Sequence, residues 1–191
     1  MIIWKFIDDK GGHDFNLPYP DDPSQTAIRK SHFQNSRLAL SECLKAHGRQ
    51  VEAIEDLMIR DHHCLKKDNQ LLASLAHTRG AACAIVATQS DKLHGVGIDC
   101  EQQDRVIRHE ILDKFSGELD DAETNLHLWC AKEAAFKASS FFWKKEKTFI
   151  LKDIIIKKDT FEIPGLLAGE LEHENFSGYL VTKAMVTQLF L

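Results

Sequence analysis

Asp99, Glu101, Glu133 and Lys137 are the side chains of this sequence best suited to chemistry, and they come from two short stretches. Gly95-Val96-Gly97-Ile98-Asp99-Cys100-Glu101 carries two carboxylates with one residue between them. Leu126-His127-Leu128-Trp129-Cys130-Ala131-Lys132-Glu133-Ala134-Ala135-Phe136-Lys137-Ala138 carries a carboxylate and an ammonium four residues apart. Oxygen-only ligands suit Mg²⁺, which keeps several waters and uses a few carboxylates plus substrate phosphate. Three carboxylates and a lysine therefore make a site for a divalent metal bound to a charged phosphate ester. Hydrolases and nucleotide transferases share that chemistry. Plainer roles fit the same residues: Glu133 and Lys137 as a surface ion pair one turn apart, and Asp99 and Glu101 as a strand end entering a turn.

The local sequence says which elements must position these groups. Residues 126–138 hold strong helix formers and neither Gly nor Pro, which predicts a helix. On its wheel Leu126, Trp129 and Phe136 form one stripe, the face expected to bury itself. Glu133 and Lys137 lie about 40° and 80° from Trp129, at about 100° per residue, on the border of that stripe. Residues 95–101 predict a strand, in which alternate side chains share a face. Val96, Ile98 and Cys100 then point into a core. Gly95, Gly97, Asp99 and Glu101 face the other way, with the carboxylates about 6 to 7 Å apart. The glycines predict room for a ligand against the sheet, and neighbouring carboxylates repel unless a cation sits between them.

Elsewhere, Ile2 to Ile7 has strand character. Gly11-Gly12 and residues 18–23 read as a loop, and Asp22-Pro23-Ser24 as the start of a helix that runs to His47, where Gly48 closes it. Phe33, Leu40 and Leu44 give that helix its apolar face. Arg29, Lys30 and Arg37 make it the most basic helix of the first half, as a solvated face or as a phosphate site. Leu71 begins an apolar approach to the turn His77-Thr78-Arg79-Gly80, which leads into a strand from Ala81 to Ala87. Residues 105–115 read as a helix, Ser116-Gly117 as its break, and Asp120-Asp121 as the start of the long helix. Residues 148–157 and 178–189 read as strands, with turns at Pro164-Gly165 and Ser177-Gly178. A coarse repetition of strand, helix and strands links the two halves.

Composition narrows the function classes. Acidic residues outnumber basic ones 29 to 24, for a net charge of −5, which argues against nucleic acid as the main partner. A hydrophobic content of 43% allows a real core, in one domain or two small ones. Cys43, Cys64, Cys83, Cys100 and Cys130 show no Cys-x-x-Cys spacing and predict buried reduced thiols. No apolar run approaches the roughly 20 residues that span a bilayer. The first residues lack the basic and apolar regions of a signal peptide, so a soluble cytoplasmic protein is expected. Asp61-His62-His63-Cys64 spells the tetrapeptide of protein palmitoyltransferases, but the membrane spans and cysteine-rich zinc domain of those enzymes are missing, and the match is coincidence. His62, His63, Cys64 and His77 lack the spacing of a zinc site.

The wording of the two acidic stretches is more specific than their chemistry. Val96-Gly97-Ile98-Asp99-Cys100-Glu101, followed by Trp129-Cys130-Ala131-Lys132-Glu133-Ala134-Ala135-Phe136-Lys137-Ala138, resembles the paired signature of the 4′-phosphopantetheinyl transferases. That signature is a Gly-hydrophobic-Asp strand and then Trp-x-x-Lys-Glu-x-x-x-Lys on a helix. Ala76-His77 ahead of an apolar strand resembles the family's Ser-His pair, and Arg37-Leu38-Ala39-Leu40 its arginine-led helix. Half the chain precedes Asp99, so the chain is similar to the larger, surfactin-synthetase-activating type. The small holo-acyl-carrier-protein synthase type has its strand near the N-terminus and needs a trimer. The resemblance implies a 4′-phosphopantetheinyl transferase-like α+β fold of two similar halves, each an antiparallel sheet plus a long helix, related by a pseudo-twofold. It implies a monomer with one active site between the halves, residues 1–92 contributing to coenzyme A binding and 93–191 carrying the metal site.

The implied reaction moves the 4′-phosphopantetheine arm of coenzyme A to a serine of an apo acyl or peptidyl carrier protein, releasing adenosine 3′,5′-bisphosphate. Such carriers serve fatty acid, polyketide and nonribosomal peptide synthesis. Asp99, Glu101 and Glu133 would hold Mg²⁺ against the pyrophosphate, and Lys137 would offset charge as the serine oxygen attacks phosphorus. Glu133 would assist removal of the serine proton, directly or through a metal-bound water. Lys132, His77 and Arg37 are candidates for the phosphates of coenzyme A, with Arg37 suited to a bidentate contact. The chain departs from the pattern in four places. Ala76 replaces the serine; the Gly-Lys-Pro stretch before the histidine is missing; the interval from Asp99 to Glu133 is short, trimming the segment expected to receive the carrier; and no Gly follows the Lys137 helix. These departures keep two other readings open, a catalytically silent relative that binds coenzyme A or a carrier without transfer, and a metal-dependent phosphoesterase.

Overall fold

The computed structural model describes residues 1–8, 26–61, 63–143 and 150–190. One five-stranded sheet holds β1 (Ile2–Asp8), β2 (Ile59–Arg60), β3 (Cys64–Leu65), β4 (Leu71–Thr78) and β5 (Ala81–Thr88) in the order β1-β5-β4-β3-β2. A second holds β6 (Gly95–Gln102), β7 (Ile155–Lys157), β8 (Thr160–Ile163), β9 (Leu167–Phe176) and β10 (Tyr179–Leu189) in the order β6-β10-β9-β8-β7. All pairings within both sheets are antiparallel. Each strand of the first sheet has a counterpart at the same place in the second. With helices α1 (Ala27–Ala46), α2 (His109–Phe115) and α3 (Asn125–Ser139), the protein is α+β and topologically duplicated.

Helix α1 is capped by Thr26, whose Oγ1 accepts the Arg29 N–H at 3.4 Å, and the chain leaves it through Gly48 at φ +81°, a left-handed conformation that glycine adopts without strain. Leu40, Cys43 and Leu44 bury its inner face against Ile7, Leu71 and Val86 of the first sheet. Helix α3 begins at Thr124, whose side chain accepts the His127 N–H at 3.2 Å. The expected start at Asp120-Asp121 is not used. Asp120 instead accepts the N–H groups of Gly117 and Ile156 at 2.7 and 2.9 Å, and Asp121 bridges to Lys157, so the pair ties the preceding loop to β7.

The buried face of α3 also differs from the expected stripe. Leu126, Trp129 and Phe136 are half-buried at its margin, while Ala131, Ala134, Ala135 and Ala138 are inaccessible or nearly so. Small side chains let the helix backbone come down on β6. Gly95 and Gly97 complete the fit, because a Cβ at either would overlap the carbonyl oxygens of Ala138 and Ala134. The glycine face therefore receives the helix, and the expected room for a ligand there is filled by α3.

The other face of β6 closes the molecule. Val96, Ile98 and Cys100 pack with Leu72, Cys83 and Ile85 of the first sheet in a cluster shared by both halves. Further differences are local. Residues 71–78 are a strand, not only an approach. Helix α2 is shorter than expected, starting at His109, and residues 151–153 form a 3₁₀ turn before β7. Strands β8 and β9 have no counterpart in the sequence reading. In β9, exposed Glu170 and Glu172 alternate with buried Leu167, Gly169 and Leu171, the pattern of a strand with one wet face. The loop at residues 11–23, the helix start at residues 22–24, His62 and residues 148–149 lie outside the described residues. Among the described residues, no helix is long and apolar enough to cross a membrane.

Candidate active site

β6 is the edge strand of its sheet, so its outward backbone groups need partners from elsewhere. At Ile98 two side chains supply them. The Ile98 N–H donates to Ser74 Oγ of β4 at 3.3 Å, and its carbonyl accepts from Lys137 Nζ at 3.0 Å. The same ammonium donates to Asp99 Oδ1 at 2.8 Å. The close seating of α3 on the glycines thus sets Lys137 over Asp99. Burial works against the Lys137 charge, yet Asp99 and then Glu133 outweigh it and hold its pKa above the ordinary value.

The second oxygen of Asp99, Oδ2, is buried without a hydrogen-bond partner. The Cys130 thiol lies near this carboxylate, and burial, with the Asp99 charge, pushes its pKa well up. It stays neutral, and a thiol is a weak donor. A buried carboxylate oxygen facing no strong donor is costly and is a natural seat for a cation. Glu133 lies in the same electrostatic neighbourhood. Its pKa is raised by desolvation, which the Lys137 charge opposes and the Asp99 charge adds to.

Glu101 is committed differently. Its Oε1 accepts from Arg105 Nη1 and from Trp129 Nε1, the latter at 3.3 Å, and its Oε2 accepts from Thr78 Oγ1 at 2.8 Å. Arg105 in turn lies over the Trp129 ring, 5.3 Å from its centroid. Among the described residues no group of three His, Cys, Asp or Glu side chains is poised to hold a metal ion. Arg105 was missed in the sequence. Its one signal is a cation four residues past Glu101, just where β6 ends.

Lys132, expected at the phosphates, is turned into the core. It is fully buried, with Nζ bridging Asp120 Oδ2 at 2.7 Å and the Ile154 carbonyl. A residue next to Glu133 on a helix points about 100° away from it, and here that direction is the packed side. His77 and Arg37 do share a space. A cavity of about 730 Å³ is lined by Arg29, His32 and Arg37 of α1, Ser74 and His77 of β4, and Asp61. His77 stacks on His32 with ring centroids 4.5 Å apart, and its pKa is lowered by burial and then by His32 and Lys137. The Arg37 guanidinium lies 4.7 Å from the Phe33 ring centroid, and its buried Nε has no partner. Burial pushes its pKa down. Ser74 belongs both to this cavity wall and to the Ile98 contact, so the basic cavity and the Lys137–Asp99 pair meet at one residue, Ile98. His32 joins Arg29 and Arg37 at helical spacing, a periodicity visible in the sequence but indistinct among so many surface charges.

A second cavity, of about 520 Å³, opens beside Arg105 and is lined by Val106, Ile107, Leu126 and Asn175 among others. In comparisons with known proteins, the chain matches no family model and no curated protein sequence.

Proposed function

We propose that the protein is a 4′-phosphopantetheinyl transferase that moves the phosphopantetheine arm of coenzyme A to a serine of an apo acyl or peptidyl carrier protein, its halves related by a pseudo-twofold. The observation that carries this reading is the Asp99–Lys137 pair, held between an edge strand and a helix that touch at Gly97 and abutting a basic cavity. A second support is the fit to a divalent ion. Asp99 Oδ2 is a buried oxygen with no donor stronger than the Cys130 thiol, and Glu133 is a carboxyl coupled to it, so these two would hold Mg²⁺. Bound there, the ion would supply neutralising charge to the diphosphate.

The chain's own groups account for the rest. Arg37 and Arg29 offer cationic donors to phosphate, and Arg37 has an unused buried N–H ready for it. Lys137, fixed by Ile98 and Asp99, presents charge where it builds up as the serine oxygen meets phosphorus. Glu133, the carboxyl beside Asp99 and Lys137, takes the serine proton. Within the diphosphate of coenzyme A the bond from the phosphorus of the pantetheine side to the bridging oxygen breaks, its electron pair leaves with adenosine 3′,5′-bisphosphate, and the new bond joins that phosphorus to the serine oxygen. Lys132 has no part in this scheme.

The test is incubation of apo carriers with coenzyme A, Mg²⁺ and the protein. A carrier mass increased by one phosphopantetheine arm is expected. Tight coenzyme A binding by calorimetry with no mass gain on any carrier would instead identify a silent relative. Phosphate released from coenzyme A without a carrier would identify a phosphoesterase.

A further inference from the structure

We propose that Arg105 is a positioning residue that latches Glu101 out of the cation-binding set, leaving a divalent ion to Asp99 and Glu133. This inference rests on the reading that those two carboxylates hold such an ion.

The two acidic residues of β6 are treated unequally. Glu101 is satisfied at both oxygens, by Arg105 and Trp129 at one and Thr78 at the other, whereas Asp99 keeps one buried oxygen with no partner stronger than the Cys130 thiol. Both are buried to a similar degree, so exposure does not explain the difference. The partners do. Thr78 comes from the first sheet and Trp129 from α3, so Glu101 is gripped from both halves at once. Arg105 lies three residues past the end of β6, its N–H held by the Gln102 carbonyl at 3.0 Å. Its guanidinium lies over the Trp129 ring, 5.3 Å from the centroid, a cation–π contact. The indole of the Trp-x-x-Lys-Glu stretch thereby gains a role as the platform for the latch.

Charge decides what the latch does. A buried carboxylate deprived of the cation paired with it is strongly unfavourable and seeks another. Arg105 also acts on Glu133, where its charge favours the ionised form. With Arg105 in place, Glu101 has no need of a metal and no free oxygen facing an ion. With Arg105 neutralised, Glu101 becomes a third anionic ligand beside Asp99 and Glu133.

Mn²⁺ binding to the full chain, followed by the electron paramagnetic resonance signal of free Mn²⁺ without coenzyme A or carrier, tests this. Arg105→Gln should bind Mn²⁺ more tightly than the parent by on the order of tenfold, since a carboxylate freed from a buried pair is released to the ion. Glu101→Gln should stay within about threefold of the parent, and the double variant Arg105→Gln with Glu101→Gln should return to it. Arg105→Lys, which keeps the charge, should also stay near the parent. Circular dichroism checks that each variant is folded. Loss of Mn²⁺ binding in folded Glu101→Gln, unchanged or weaker binding in folded Arg105→Gln, or no Mn²⁺ binding in either the parent or Arg105→Gln would each overturn the proposal. Should Arg105→Gln fail to fold, the Glu101→Gln result decides alone. Mn²⁺ binding as expected with no transfer to any carrier would count against the transferase reading and leave this one standing.

Discussion

Glu133 and Lys132 are neighbours in sequence with opposite duties, and each makes a prediction. Glu133 is a desolvated carboxylate with a raised pKa. A folded-state pKa above the unfolded value means that ionisation costs stability, so at neutral pH the charge weakens the fold. Glu133→Gln should therefore abolish carrier modification while raising the thermal midpoint, an outcome read by pairing a mass assay with a melting curve. Lys132 is the reverse case. Lys132→Ala would strand a buried Asp120 carboxylate and cost about 3–5 kcal/mol, measurable as a lower urea midpoint, while on the proposed reading any folded fraction should bind coenzyme A as the parent does. His63, from the tetrapeptide that suggested nothing, is buried and stacked 4.3 Å from the Phe141 ring centroid, so its role is packing.

At the scale of elements, the contact between α3 and β6 is what brings the chemistry together. Gly97→Ala should force the backbone of α3 away from the strand, at a cost of about 1–3 kcal/mol from overpacking. It should also lower transfer by on the order of a hundredfold, since misplacement of catalytic groups by about 1 Å costs that much. A Gly97→Ala protein with parental turnover would show that this seating does not matter. The extent to which this was legible in the sequence follows the same physics. The strand at residues 95–101 and the helix at 126–138 were readable from alternation and from helix formers, and so was the face shared by Asp99 and Glu101. What covers that face was not readable, because a bare glycine face accepts a ligand or a helix backbone equally well. The alanine side of α3 was overlooked because Leu, Trp and Phe outweigh Ala in any apolar count, although close packing on glycines favours the smallest side chain. β9 escaped because its glutamates hide a period of two, and Asp120 looked like a helix start because its partners, Gly117, Ile156 and Lys132, converge only in the fold.

Across the whole molecule, the two halves share one core cluster, and their stability has a definite pH dependence. His63, His77 and His173 sit in separate parts of the fold, and burial is the leading cause lowering the pKa of each below the ordinary 6.5. A histidine with a depressed folded pKa contributes stability that is intact above 6.5 and lost as pH falls, because the unfolded chain takes up the proton first. The urea midpoint should thus drop between about pH 7 and 5. Glu133 acts in the opposite sense, so the drop should be steeper in Glu133→Gln. The central claim is that Asp99 and Lys137 serve the transfer of a phosphopantetheine arm. The measurement that tests it most directly is mass spectrometry of apo carriers from fatty acid, polyketide and peptide synthesis, each incubated with coenzyme A, Mg²⁺ and either the parent protein or a folded Asp99→Asn variant. The account predicts one arm added per carrier by the parent, with stoichiometric adenosine 3′,5′-bisphosphate, and none added by Asp99→Asn. Unmodified carriers in every parent reaction, or equal modification by both proteins, would contradict it.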